Sequence, residues 1–237
     1  MNINEARSAI RSAFIDWEGF LVNNRDCKNG STLSWENYAP KRFSPVVTAF
    51  EVFELIEMAQ YTFQVALDGS IFQIYYLYDG RGRVIQEASL SFLMSGVEVF
   101  HDGEEELAIQ PSPDAPVGWL RIDYSNKNEN DGGVNHPKCH LHISLLPNAR
   151  IPVDRIPNPK QFVEFVIANF YPEVYKSKRL NDTGRYNSIE KMCNINTPLP
   201  NDISMSDVCE HSFHLKLPCR LAAPPALPVV RPGTRRK

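Results

Sequence analysis

Residues 61 to 94, YTFQVALDGSIFQIYYLYDGRGRVIQEASLSFLM, constrain the fold more than any other part of the chain. They hold β-branched and aromatic residues in three runs, and the breaks between runs centre on Asp68-Gly69 and Asp79-Gly80. Asp-Gly is the strongest short-range hairpin signal, because a tight turn needs positive φ there. Three such runs predict three consecutive antiparallel strands. In the middle run Phe72, Ile74 and Tyr76 share one face, while Ile71, Gln73 and Tyr75 share the other. Both sets are bulky, which predicts a central strand covered on both sides.

Helical spacing of Ile10, Phe14, Trp17 and Leu21 predicts a first helix within residues 4 to 22, capped by Asn4. A shorter helix is expected over residues 46 to 59. A third begins at Asn158 as cap, with Pro159 suited to the first helical position and Phe162, Phe165, Val166 and Phe170 as its apolar stripe. Pro172 is expected to end it. VGWLRIDY (117 to 124) and KCHLHISL (138 to 145) predict a fourth and a fifth strand, and HSFHLKLP (211 to 218) a last one. Residues 23 to 45, 101 to 116 and 125 to 137 are rich in Gly, Asn, Pro or acids and read as loops. This order predicts one α+β domain over residues 1 to 218: a twisted, mainly antiparallel sheet packed by two or three helices. Residues 219 to 237 are proline-rich and basic without helix or strand period, and read as a disordered tail.

Composition removes several functions. The longest apolar runs are too short to span a bilayer, and the first residues carry acids in place of a secretory apolar core. A cytoplasmic protein without membrane contact is the expectation. The five cysteines are odd in number and form no C-x-x-C, so neither a disulfide framework nor a cysteine zinc site is indicated. The tail holds five bases and no acid; removing them takes the formal charge of −3 for the whole chain to −8 for the rest. An acidic body argues against a broad nucleic-acid groove, though not against a small site with one or two bases. No G-x-x-x-x-G-K-[ST] or G-x-S-x-G occurs.

The feature that remains is HPKCHLHI, which places His136, His140 and His142 within seven residues. On a strand His140 and His142 project together, with Cys139, Leu141 and Ile143 opposite. Arg121 and Asp123 likewise share a face of the preceding strand. Antiparallel pairing with Asp123 opposite His140 also sets Arg121 opposite His142, with β-carbons about 5 Å apart. His136, at the mouth of the connecting loop, has room to fold over that face.

Three readings follow. Imidazole ionises near neutral pH, so the pair can serve as acid and base, with Asp123 orienting a ring and Arg121 holding a phosphate. This is chemistry that RNA or a nucleotide can undergo without a metal, and the R-x-D followed by an H-x-H strand loosely resembles small toxin families, which implies a nuclease-like toxin or phage-defence component with a protein partner encoded nearby. Alternatively His136, His140, His142 and Asp123 offer the nitrogen and oxygen ligands that a divalent metal such as Zn, Fe or Mn accepts. In the third reading the same face is a non-catalytic interaction surface. His211 and His214 lack the hydroxyl spacing of two-histidine phosphoesterases, and Arg150 and Arg155 flank the H-x-H strand as candidate phosphate contacts.

RIDY, HPKCHLHI, ARIPV and PKQFVEFVIANFYPEVY together resemble an uncharacterised bacterial family, the domain of unknown function twenty-two ninety. The likeness extends over most of residues 1 to 218 and is most specific between Arg121 and Tyr175. It implies a small prokaryotic cytoplasmic protein and carries no established activity.

Overall fold

The computed structural model describes residues 1–39, 46–102, 105–126, 137–153 and 155–180. The chain opens with α1 (Ile3–Asp16), followed by β1 (Leu21–Val22), β2 (Asp26–Asn29) and β3 (Thr32–Trp35). Next come α2 (Ala49–Glu57), β4 (Phe63–Val65), β5 (Ile71–Tyr78) and β6 (Ile85–Leu93). β7 (Glu98–Asp102) and β8 (Glu105–Ile109) form a separate ribbon. β9 (Trp119–Ser125), β10 (Cys139–Ile143), β11 (Leu146–Pro152), α3 (Pro159–Phe170) and α4 (Pro172–Leu180) complete the described fold.

The fold is α+β. One nine-stranded sheet runs in the order β1-β4-β5-β6-β9-β10-β11, with β3 also paired to β5 and β2 to β3. Every strand pairing in it is antiparallel. The three strands expected from residues 61 to 94 are β4, β5 and β6, and β5 is buried along most of its length. Gly69 has φ +79°, as its turn requires. In the second turn the positive φ falls on Gly82 rather than on Gly80. There the Asp79 carboxylate accepts from the backbone N–H of Arg83 (2.7 Å) and Val84 (3.2 Å), closing the loop.

The two sheet faces serve different purposes. On the first, Phe72, Ile74 and Tyr76 of β5, Leu90 and Phe92 of β6, Leu120 and Ile122 of β9, and Cys139 and Leu141 of β10 meet α1 and α3. α1 contributes Ile3, Ala6, Ile10 and Ala13; α3 contributes Phe162, Val163, Val166 and Ile167. Phe72 packs against Phe92 and Phe162 with ring centroids 5.0 and 6.2 Å apart. The fully buried Tyr76 hydroxyl donates to the Pro157 carbonyl (2.8 Å), tying β5 to the segment that leads into α3. Burial of this many aromatic and branched side chains is the dominant stabilising contribution. On the second face a smaller cluster lies under α2: Val52 and Leu55 cover Ile71, Leu93 and Val117, with Trp119 at its margin.

Five features differ from expectation. Asn2, not Asn4, caps α1, because Glu5 stands three residues on and reciprocates: Asn2 accepts from the Glu5 N–H and Glu5 accepts from the Asn2 N–H. α1 stops at Asp16, although Trp17 and Leu21 remain buried in the same core. Residues 23 to 45 contain the hairpin β2–β3, whose Asn29-Gly30 corner is itself a turn signal. Residues 101 to 116 include β8 and the end of β7, so the acidic stretch is partly a ribbon. Pro172 begins α4 as well as following α3, so the described residues hold four helices; a proline is tolerated in a first helical turn because its missing N–H has no partner there. The strand expected at 211 to 218, with His211 and His214, and the tail from residue 219 lie outside the described residues. No described helix is long and apolar enough to cross a membrane.

Candidate functional site

The second face of the sheet is apolar beneath α2 and polar beyond it. Strand register explains the change. Gln73 pairs with Ser91, Ser91 with Arg121, and Arg121 with His142. One step along, Tyr75 pairs with Ser89, Ser89 with Asp123, and Asp123 with His140. Two polar rows therefore cross four adjacent strands side by side, each strand contributing residues two apart. The register proposed from alternation alone, Asp123 opposite His140 and Arg121 opposite His142, is the observed one. His136 lies outside the described residues.

Within the rows the contacts are specific. The Asp123 carboxylate accepts from Ser89 Oγ through Oδ1 (2.9 Å) and from Arg121 Nε through Oδ2 (2.8 Å). His142 Nε2 stands 3.5 Å from the same Oδ2. His140 Nδ1 lies 2.8 Å from the Pro137 carbonyl. A carbonyl only accepts, so this nitrogen carries the hydrogen and a neutral His140 ring presents its lone pair on Nε2. The two rings meet edge to face with centroids 4.7 Å apart. His140 and His142 are buried residues, the His142 side chain keeping 9% exposure, whereas the Arg121 and Asp123 side chains keep 28% and 27%.

The irregular pairing of β10 with β11 falls at His142. Leu141 pairs with Ile151 and Ile143 with Leu146, so β11 carries extra residues opposite His142. Such bulges re-aim side chains and are common beside functional sites. Tyr75, at the far end of its row, stacks on Tyr38 with centroids 4.9 Å apart. Burial, reinforced by Tyr75, pushes the Tyr38 phenol up to about 12. Burial and Glu87 raise Tyr75 too, so at neutral pH both rings retain their hydroxyl protons.

Residues 19–217 match the family model of an uncharacterised conserved protein, DUF2290. The chain belongs to DUF2290. No curated protein and no solved structure matches it. The matched span includes Arg121, Asp123, His140 and His142. Ser89 was not singled out in the sequence, yet its hydroxyl fixes one Asp123 oxygen. The signal was present in the alternation of ASLSF, where Ser89 and Ser91 interrupt Ala88, Leu90 and Phe92 at every second position. Arg150 is exposed on β11. Arg155 lines a groove of about 640 Å³ with Tyr124 and Asn158, on the other side of β9 from Asp123. A second cleft of about 410 Å³ is lined by Asn2, Lys28, Arg81 and Arg83. Neither cleft includes the imidazole pair.

Proposed function

We propose that this family member is a nuclease-like or nucleotide-acting protein whose Arg121, Asp123, His140 and His142 form a phosphodiester-cleaving site. The observation that supports this reading is the His140–Pro137 contact, which assigns the ring hydrogen to Nδ1 in a group that also holds Arg121. In the proposed step His140 takes the proton of an attacking hydroxyl, whose oxygen bonds to phosphorus. The bond from phosphorus to the leaving oxygen breaks, and His142 gives that oxygen a proton. Arg121 holds the phosphate oxygens as their charge develops. Asp123, fixed by Ser89 and Arg121, faces His142 Nε2 across 3.5 Å and orients the ring through its charge. His136 is an auxiliary group in this reading. Nothing in the step needs a cofactor, and RNA or a nucleotide is the natural substrate class. A toxin or phage-defence role, with a protein partner encoded nearby, follows if that substrate is cellular RNA.

The test is hydrolysis of single-stranded RNA and of a chromogenic phosphodiester by the purified full chain with a chelator present. Turnover that falls by about 10² or more in His140→Ala and in Arg121→Ala, with both variants folded, is expected. Absence of turnover in the wild type, or its persistence in folded His140→Ala, overturns the reading and leaves the face as an interaction surface. In cells, growth arrest on expression should disappear in His140→Ala.

A further inference from the structure

The same cluster has a second property, independent of the acid–base reading. One ligating atom from each of Asp123, His140 and His142 lies within 4.8 Å of the other two. The distance from His142 Nε2 to Asp123 Oδ2, 3.5 Å, is long for a hydrogen bond, which prefers about 2.7–3.2 Å. It is close to the edge of a tetrahedron with metal–ligand bonds near 2.05 Å, about 3.4 Å. The outer contacts have the form that metal sites use. Histidine ligands almost always anchor their other ring N–H on a carbonyl or carboxylate, and His140 does so on Pro137. Ligating carboxylates are themselves hydrogen-bonded, as Asp123 is through Ser89, while Arg121 takes its second oxygen. Those two bonds use two of the roughly four lone-pair directions of a carboxylate and leave others for an ion.

We propose that Asp123, His140 and His142 bind one divalent first-row transition-metal ion, such as Zn²⁺, with three protein ligands and at least one open position. Two nitrogens and one oxygen suit zinc, iron and manganese, and not calcium, which takes an all-oxygen shell. Arg121 sets the sign of a decisive test. Its guanidinium competes for the Asp123 oxygen and repels a cation, so removing it favours the metal. Removing it from a phosphate site has the opposite effect. A bound ion would also occupy the Nε2 lone pair that His140 needs as a base, so Zn²⁺ should inhibit any turnover seen in chelator.

The experiment uses the untagged full chain, stripped with chelator and then titrated with Zn²⁺ and Co²⁺. Binding is followed by calorimetry, by the visible absorption of Co²⁺ and by metal analysis after gel filtration. The expected result is about one ion per chain, with affinity reduced at least tenfold in His142→Gln and in Asp123→Asn, about tenfold in Ser89→Ala, and unchanged or raised in Arg121→Gln. Circular dichroism identifies the folded variants, and Asp123→Asn serves where His142→Gln does not fold. Less than about a tenth of an equivalent in the wild type, which is background, overturns the inference. So does wild-type affinity in both ligand variants, or a loss of affinity in folded Arg121→Gln. Metal binding without turnover in chelator sustains this inference and removes the acid–base reading; turnover without binding does the reverse.

Discussion

Replacing Asp123 by Asn keeps the size of the side chain and removes its charge. One Asp123 oxygen takes the Ser89 hydroxyl and the other the Arg121 guanidinium. In Asp123→Asn the Ser89 hydroxyl can rotate to accept from the new amide, and Arg121 can keep one neutral acceptor. The variant therefore loses charge assistance on these two bonds and creates no hole. Charge-assisted bonds contribute about 1.5–3 kcal/mol and exposed ion pairs about 0.2–1. With both side chains a little over a quarter exposed, the loss should fall between these, at about 1–2 kcal/mol. For a domain of this size that lowers Tm by about 2–8 °C. Differential scanning calorimetry measures the shift, and a phosphodiester assay in chelator measures the consequence. Activity should fall by a much larger factor than stability accounts for, about 10² or more, because the His142 ring loses its orienting carboxylate. A Tm drop beyond about 15 °C would show that Asp123 chiefly holds the sheet together, contrary to the magnitude worked above. Full activity in the folded variant would refute its orienting role.

Tyr76→Phe should cost about 1–3 kcal/mol in urea denaturation, because it leaves the Pro157 carbonyl without its buried donor. Gly82→Ala should destabilise by at least about 1 kcal/mol in the same assay: φ is +68°, and a new Cβ would stand 2.9 Å from Ile3 Cγ2. Backbone N–H bonds from Arg83 and Val84 hold the Asp79 carboxyl below the ordinary aspartate range. Its stabilising contribution is therefore complete above that range and lost as pH falls through the lowered value. The difference in denaturation midpoint between wild type and Asp79→Ala should shrink steadily on acidification, and a constant difference would contradict it.

Period-two alternation was readable wherever one face of a strand buries hydrocarbon. It sufficed for β5, and it assigned His140 and His142 to the face opposite Cys139 and Leu141 because a buried face tolerates no slip. The β2–β3 hairpin escaped because its residues, Asp26 to Asn29 and Thr32 to Trp35, are mostly polar, and their pairing depends on the neighbouring β5 edge. The β7–β8 ribbon escaped for a related reason: it is acid-rich and lies off the main sheet. Pro172 is ambiguous in principle, since the same ring that cannot continue one helix can start another. Within the cluster, the Ser89 contact needed the β6–β9 register, which depends on two segments 34 positions apart. The Pro137 contact depends on how the chain enters β10, and no composition pattern encodes that.

The alternation along β10 makes the protein its own proofreader. If that strand docked one position out of step, the two imidazoles would be pressed among Phe and Ile side chains, and a leucine and a thiol would face Asp123. Such a chain would be missing its polar cluster and much of its stability at once. Molecules that fold firmly therefore carry the cluster correctly assembled, and those that do not are left open to proteolysis.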